Sequence, residues 1–320
     1  MLTRNHRAPC HEHVLRSPSR EQPEPGPTSL SPPPWLLAMS YYHKVWTEER
    51  IERHYKEGRG SGVGAQYRPL LEVHDVPSLG LARRAPGVTT GRVHHLLSNV
   101  EYQFFLMLDW AADITDIREQ YPVNRELTQD MALTLRIKHP CYPGTNVATL
   151  MSTDFLVNRL ADGENTLEAF DIKRSEAAED ERTLEKLELM RASLEELQVP
   201  HRLVYHSLLP KAKIERLEWI RFGLLRDGEH QPFAGYFEAH CARMAIDLAT
   251  APKKLPLNEY CSVYDARCSA PRGTGLRIAQ MLMHNRVLIP NLAEPDLAAA
   301  QLGSFKVSAI KGALRLMEAA

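Results

Sequence analysis

The sequence has few cysteines, no long apolar run and almost no net charge. Its five cysteines are odd in number and lack the paired spacing of zinc ligands or of a disulfide framework. No apolar stretch approaches the roughly 20 residues that a membrane-spanning helix needs. These absences argue against a disulfide-stabilised secreted protein, a structural zinc protein and a helical membrane protein. A reducing cytoplasm is the compartment that such a chain fits best.

The net charge is only −1 over 320 residues, but the charged residues are unevenly distributed along the chain. Residues 53–95 carry seven Lys/Arg against three Asp/Glu, whereas residues 160–200 carry twelve acids against five bases. A polyanion such as DNA would meet the first segment. For charge patterning alone, an ordinary solvated surface is the more common explanation.

Residues 1–38 are rich in proline and poor in residues that could form a core. They hold eight of the 22 prolines, including the run at 32–34. A segment of this composition cannot bury enough apolar surface to offset the entropy lost on ordering. We therefore expect a disordered leader at 1–38, ahead of a folded domain at 39–207.

A basic stretch at 40–92 contains a helix candidate followed by a glycine run at 58–64. The run lacks the Lys-Ser/Thr ending of a P-loop and follows no apolar strand, so nucleotide binding of that type is not expected. A flexible arm near DNA is the functional interpretation, and a plain loop is the structural one. The candidate DNA contacts in this region are Arg59, Arg92, His94 and His95. The adjacent histidines suit a partly buried structural role at least as well.

From Ser98 onwards the spacing of apolar residues predicts alternating helices and strands. Val100, Phe104 and Leu108 recur every fourth residue, as on one face of a helix. The further elements expected are strands at 114–123, 151–157, 167–173 and 203–206, and a helix at 180–198. This order predicts an α/β core, a sheet covered by helices.

Beyond residue 208 the sequence is mostly helical. Apolar residues stand at helical spacing in 214–224, 237–248 and 276–285, and a short apolar stretch at 286–290 is a candidate β-wing. We expect a compact helical second domain at 208–320, with a winged helix as the specific candidate.

Two carboxylates and a lysine stand close together in the sequence, on predicted strands. Asp154 closes the run 151–154, and Asp171 is followed two residues later by Lys173. Because side chains alternate along a strand, Lys173 shares a face with Asp171 while Ile172 points into the core. Two carboxylates at one point can hold a divalent cation against a phosphate, as in metal-dependent nucleases. By itself an Asp-x-Lys triplet is a weak signal.

The chemistry of phosphodiester hydrolysis gives each residue a possible role. Hard carboxylate oxygens suit Mg²⁺, and two ions about 4 Å apart can neutralise the phosphate and activate water. Asp154 and Asp171 would supply ligands, and Glu101 on the preceding helix would supply a third. Lys173 would orient the water or stabilise the charged phosphate.

Each of these residues also has a structural explanation. Glu101 stands three residues after Ser98, and Ser-x-x-Glu before an apolar helix is a capping box. Asp154 could cap a turn at a strand end, and Lys173 with Asp171 could form an exposed charge pair of little energetic consequence. Taken singly, the residues favour the structural explanations.

Five segments, at 56–60, 90–98, 116–120, 151–157 and 180–189, occur in an order and at a spacing that are highly specific to one protein family. Together they resemble the TnsA family, the endonuclease subunits of heteromeric Tns-type transposases. The resemblance covers residues 45 to about 205. The C-terminal third resembles the family only loosely, in its helical character, and the leader has no counterpart.

The resemblance implies a restriction-endonuclease-like fold, a mixed sheet flanked by helices. It places Glu101, Asp154 and Lys173 in the acid, acid and lysine positions, with Mg²⁺ as cofactor. The position two before the lysine, which can be glutamine in the family, is Asp171 here, and this makes the acidic pattern fuller.

The resemblance also implies a function and partners. The expected activity is cleavage of double-stranded DNA at the 5′ ends of a transposon, in a bacterial cytoplasm at the nucleoid. A DDE-type transposase would cut and join the other strand, and an ATPase regulator would engage the C-terminal part. Two rival interpretations stay open: a catalytically inactive DNA-binding subunit, and a stand-alone restriction or repair nuclease without a transposase partner.

Overall fold

The computed structural model describes residues 46–75, 81–161, 163–226 and 228–308. These residues belong to one compact unit. The leader expected at 1–38 lies outside the described residues. Among those that are described, no helix is both long and apolar enough to cross a membrane.

Helices and strands alternate through the first half of the described chain, and helices dominate the second half. The helices are α1 (Glu48–Lys56), α2 (Asn99–Trp110), α3 (Arg125–Leu135), α4 (Glu181–Glu196), α5 (Lys211–Arg221), α6 (Tyr236–Thr250), α7 (Leu257–Arg267) and α8 (Thr274–His284). The strands are β1 (Arg83–Pro86), β2 (Val93–Leu96), β3 (Ile114–Pro122), β4 (Ser152–Ala161), β5 (Glu164–Lys173), β6 (His201–Tyr205), β7 (Leu288–Ile289) and β8 (Lys306–Val307). This mixture confirms the expected α/β class.

A four-stranded mixed sheet with the order β3-β4-β5-β6 forms the centre of the first half. β3 pairs with β4, and β4 with β5, in antiparallel fashion, whereas β6 lies parallel to β5. A parallel neighbour needs a crossover connection, and here α4 supplies it. A mixed sheet flanked by helices is consistent with the restriction-endonuclease-like fold expected from the sequence.

The two faces of the sheet pack against different helices, as strand alternation requires. Phe155, Phe170 and Ile172 belong to a core cluster that also contains the buried side chains of α2. Leu156 and Ala169, their neighbours in sequence, belong to a second cluster with the buried side chains of α4. Ile172 therefore points into the core, as predicted, and the flanking positions 171 and 173 share the opposite face.

The helices α5 to α8 and the short β7–β8 sheet form the remainder of the described chain. Leu288 pairs with Val307 in this two-stranded antiparallel sheet, which stands where a β-wing was expected. Ile214, Leu217 and Ile220 of α5 belong to the same core cluster as the side chains of α2. The apolar core thus runs without interruption across residue 208, and the division at that residue stays a prediction.

Candidate active site

The ends of β4 and β5 bring Asp154, Asp171 and Lys173 together. Asp154 lies one residue beyond the last paired position of the two strands, Phe155 opposite Phe170, and Asp171 is the next residue on β5. Lys173 Nζ lies 2.9 Å from Asp154 Oδ2 and 3.8 Å from Asp171 Oδ1. The three side chains converge on one point at this end of the sheet.

Hydrogen bonds from main chain to side chain fix both carboxylates where the strand pairing stops. The backbone N–H of Asp154 donates to Asp171 Oδ1 over 3.1 Å, and that of Ile172 donates to Asp154 Oδ2 over 2.8 Å. The orientation of each carboxylate is therefore set by the opposite strand. Asp154 Oδ1 has no hydrogen-bond donor among the described residues, which leaves this oxygen available to a ligand.

His201 adds a residue that the sequence did not single out. Its ring Nε2 lies 2.7 Å from Asp171 Oδ2, and both side chains are almost fully buried. The histidine is the first residue of β6, which runs parallel to β5. It thereby holds the second oxygen of Asp171, whose first oxygen is held by β4. The expected strand began at 203, and so left this residue outside the sheet.

Glu101 caps α2, and its pKa is also affected by the charge of Asp154. Its backbone N–H donates to Ser98 Oγ over 3.1 Å, and its carboxylate accepts from Ser98 Oγ at 2.9 Å, as in a capping box. Burial, reinforced by the negative charge of Asp154, raises the pKa of Glu101 to about 7. Glu101 is thus a cap whose charge interacts with that of Asp154, and its role as a metal ligand stays a prediction.

Gln120 connects Glu101 to the end of β4, and sequence reasoning missed it. Its Nε2 donates a long hydrogen bond of 3.4 Å to Glu101 Oε2, and its Oε1 accepts from Ser152 Oγ at 3.2 Å. The residue is buried and has a φ of 48°. Left-handed backbone is uncommon for a residue other than glycine and is found preferentially at functional sites. The visible signal was a polar residue near the end of an otherwise buried strand.

The site has an excess of negative charge in a buried setting. Burial raises the pKa of Asp154, and the charge of Asp171 adds to this while Lys173 opposes it. Burial alone would raise the pKa of Asp171, but the hydrogen bond with His201 and the charge of Lys173 leave it lowered. Burial alone would lower the pKa of Lys173, but the two aspartates raise it, so the amine stays protonated at neutral pH.

The donor chemistry of these residues fits a hard divalent cation. Glu101, Asp154 and Asp171 offer carboxylate oxygens, the ligand type that Mg²⁺ prefers, and Mg²⁺ needs only a few of them because it retains several waters. Asp154 and Asp171 share the single ammonium of Lys173, so a cation would relieve their repulsion. The free Oδ1 of Asp154 is the oxygen best placed to contribute first.

A tighter group of potential ligands lies elsewhere in the described chain. One ligand atom each from Glu72, His74 and Asp75 all lie within 4.8 Å of one another. Asp75 already pairs with the buried guanidinium of Arg59 and accepts from the backbone N–H of Glu72 at 2.9 Å. This group is thus explained by its contacts with the chain itself.

The four candidate DNA contacts take part in internal contacts. Arg59 is buried against Asp75, and Arg92 pairs with the fully buried Glu119. His94 is also fully buried, and its Nδ1 lies 2.8 Å from Glu119 Oε2.

The last of the four, His95, is half-buried, and its Nδ1 accepts from the backbone N–H of Val73 at 3.2 Å. Residues held in this way have little capacity left to bind phosphate. These contacts favour a structural role: Arg59 holds the basic stretch at 40–92 together, and the other three residues contact Glu119 of β3.

An open cleft of about 670 Å³ leads to the paired aspartates. Asp154, Asp171 and Lys173 lie along it, with residues of the 140–152 loop, of the N-terminal arm and of α4. At its rim the rings of Trp46 and Tyr142 stack with centroids 4.5 Å apart. The site is therefore reachable from solvent although its carboxylates are buried.

Comparison with known proteins gives two findings. Residues 111–206 match the family model described as TnsA-like endonuclease N terminal, and this range contains Asp154, Asp171 and Lys173. Glu101 lies ahead of the matched range. The chain is 42% identical over 182 residues to the Transposon Tn7 transposition protein TnsA of Escherichia coli. That alignment covers 57% of this chain and 66% of the relative, slightly less than two thirds of its length.

Proposed function

We propose that this chain, whose residues 111–206 match the TnsA-like endonuclease family model, is a metal-dependent DNA endonuclease subunit of a heteromeric transposase. The observation that carries the proposal is the convergence of Asp154, Asp171 and Lys173 at the end of β4 and β5, with Lys173 Nζ 2.9 Å from Asp154. The identity to a relative named as a transposition protein supports the biological setting.

In this proposal the three carboxylates hold Mg²⁺, and two ions are expected. Asp154 would offer its free oxygen, Asp171 is oriented by β4 and His201, and Glu101, in the first turn of α2, would supply the third carboxylate. The metal supplies charge neutralisation at the phosphate and a water of lowered pKa. The protein positions these ligands before substrate arrives, so little reorganisation is needed.

Lys173 contributes a positive charge that does not depend on the metal. The two aspartates hold its ammonium at the opening of the cleft and keep it protonated. A lysine in this position stabilises the negative charge that develops on the phosphate during attack. It also restrains the two aspartates, which would otherwise repel each other.

The finer function rests on the family resemblance. We propose that the substrate is double-stranded DNA at transposon ends, cleaved at the 5′ ends of the element. A DDE-type transposase would process the other strand, and an ATPase regulator would contact the protein through its C-terminal part. The relative's name states transposition and no more.

The decisive experiment is a cleavage assay with the full chain on transposon-end DNA, with and without the partner transposase, and with Mg²⁺ or EDTA. Cleavage at the 5′ ends that needs both Mg²⁺ and the transposase would support the proposal. Unaided cutting of DNA without transposon ends would favour the stand-alone nuclease. DNA binding without cleavage under every condition would favour an inactive binding subunit.

A further inference from the structure

One lysine of the active-site cleft has no assigned task. Lys186 is exposed on α4 and lies along the same cleft as Asp154, Asp171 and Lys173. Thr183, Leu187 and Met190 also lie along the cleft. Positions three, four and seven apart fall on one face of a helix, so α4 presents this whole face to the cleft.

Lys186 differs from the other basic residues of α4 in its lack of a carboxylate partner. Arg182 pairs with Glu185, and Arg191 pairs with both Glu188 and Glu195. Lys186 forms no ion pair within the described part of the chain.

Its helical neighbours explain why no pair forms. A lysine on a helix pairs with acids three or four residues away. The positions at that distance from Lys186 are Arg182, Thr183, Leu189 and Met190, none of which is acidic. Toward the start of the helix, Glu185 pairs with Arg182, and Asp180 serves as the N-cap, accepting from the backbone N–H of Thr183 at 3.0 Å.

The charges along the cleft make this lysine significant. Among the described residues along the cleft, Lys173 and Lys186 are the cationic ones, and Lys173 is committed to the two aspartates. Most of the remaining wall is apolar or neutral. A polyanion entering the cleft would therefore find Lys186 as the one cation, among the described residues along the cleft, that forms no ion pair.

We propose that Lys186 binds a phosphate of the DNA strand that is cut, next to the scissile phosphate held at Asp154 and Lys173. This inference rests on the proposed nuclease function and adds a substrate contact to it. The contact between Lys186 and the phosphate would stabilise the bound substrate and the transition state equally. Its loss should then weaken substrate binding and leave the chemical step almost unchanged.

The test compares three variants of the full chain. Lys186→Gln removes the charge, Lys186→Arg keeps it, and Lys211→Gln removes the charge of another exposed lysine, on α5, away from the cleft. Binding of a duplex oligonucleotide, with Ca²⁺ in place of Mg²⁺ to prevent cleavage, is measured over a series of salt concentrations. Cleavage of the same duplex, which carries a transposon end, is then measured with Mg²⁺ and the partner transposase and gives kcat and KM.

A single lost phosphate contact lowers the slope of log binding constant against log salt by about 0.9. We expect this change in Lys186→Gln, with KM raised several-fold and kcat nearly constant. Lys186→Arg should restore the wild-type slope, and Lys211→Gln should keep it.

Three results would overturn the inference. The first is an unchanged slope in Lys186→Gln, and the second is an equal change in Lys211→Gln, which would indicate a general effect of net charge. The third is the absence of salt-dependent DNA binding by the wild-type chain. Failure of the proposed function is recognised separately, because the wild-type chain would then bind DNA without cleaving it.

Discussion

Asp154 and Asp171 are joined by a hydrogen bond from the backbone N–H of the first to the carboxylate of the second, 3.1 Å long. It stands where the regular pairing of β4 and β5 has ended. Two buried acids would normally repel each other. The backbone amide and the ammonium of Lys173 stabilise the two carboxylates next to each other. The site therefore keeps a fixed shape and an excess of negative charge.

Asp154→Asn should abolish nicking while the fold is retained. The amide keeps an oxygen for the backbone N–H of Ile172 but loses the charge that is proposed to bind metal. We expect cleavage to fall by a factor of at least about 100, the size of effect seen when one electrostatic contribution to a transition state is removed. Nicking of a plasmid that carries transposon ends, with Mg²⁺ and the partner transposase present, together with a thermal melt, checks both parts. Wild-type nicking by a purified, folded variant would refute the site.

Glu101→Gln separates the cap from the catalytic role. The variant retains an oxygen for Ser98 Oγ, so α2 should form and the melting temperature should change little. It removes a charge near Asp154, and this should weaken Mg²⁺ binding measured by calorimetry and reduce cleavage. Ser98→Ala is the matched control, because it weakens the cap and leaves the carboxylate in place. Full activity in Glu101→Gln would leave the residue as a cap only.

Glu119 should make folding sensitive to acid. Burial alone would raise its pKa, but the hydrogen bonds from Arg92 and His94 lower it to about 2, from an ordinary value of 4.5. The stabilisation is therefore complete above pH 4.5 and is lost as the pH falls from 4.5 toward 2.

At neutral pH, Glu119→Gln should lower the free energy of unfolding by about 3 kcal/mol, because it leaves the buried Arg92 without its charge partner. Urea unfolding at a series of pH values measures both effects. The exposed Glu196→Gln is the control and should behave as wild type. A pH dependence that survives in Glu119→Gln would assign it to another group.

A chain that stops at residue 207 should not fold stably. It loses Ile214, Leu217 and Ile220, buried side chains that each contribute about 1.5–3 kcal/mol and share a core with α2. A typical domain has only about 5–15 kcal/mol of net stability. Circular dichroism and size-exclusion chromatography would test this, with a chain that begins at residue 46 as the control. A cooperative melt of the 1–207 chain would instead support two separate domains.

The sequence predicted the parts of the fold that depend on local pattern. The strands around Asp154 and Asp171 and the helix after Ser98 follow from alternation and helical spacing, and the structure has all of them. Helix α3 was missed although Leu127, Met131 and Leu135 recur every fourth residue in it; these side chains are only partly buried, and Thr128 and Ala132 are its fully buried residues.

The residues that were missed at the site depend on tertiary contacts. His201 acts through a parallel strand that joins the sheet only after a helical crossover, and nothing local marks it. Gln120 matters because its backbone turns into the left-handed region near the end of β3. Arg59 and Arg92 were predicted to contact DNA because the segment around them is basic. Composition does not reveal that each guanidinium is paired with a carboxylate of the same chain.

Helix α2 carries Glu101 in its first turn and Asp109 in its last. Asp109 Oδ2 accepts from Arg221 Nη2 of α5 at 2.7 Å, and its carbonyl oxygen accepts from Arg286. The two acids lie eight positions apart, which corresponds to about 12 Å of stiff helix. Arg221 of α5 and Arg286, just after α8, therefore hold the end of α2 that is opposite Glu101, a proposed metal ligand. A movement of these two arginines would shift α2 and, with it, Glu101.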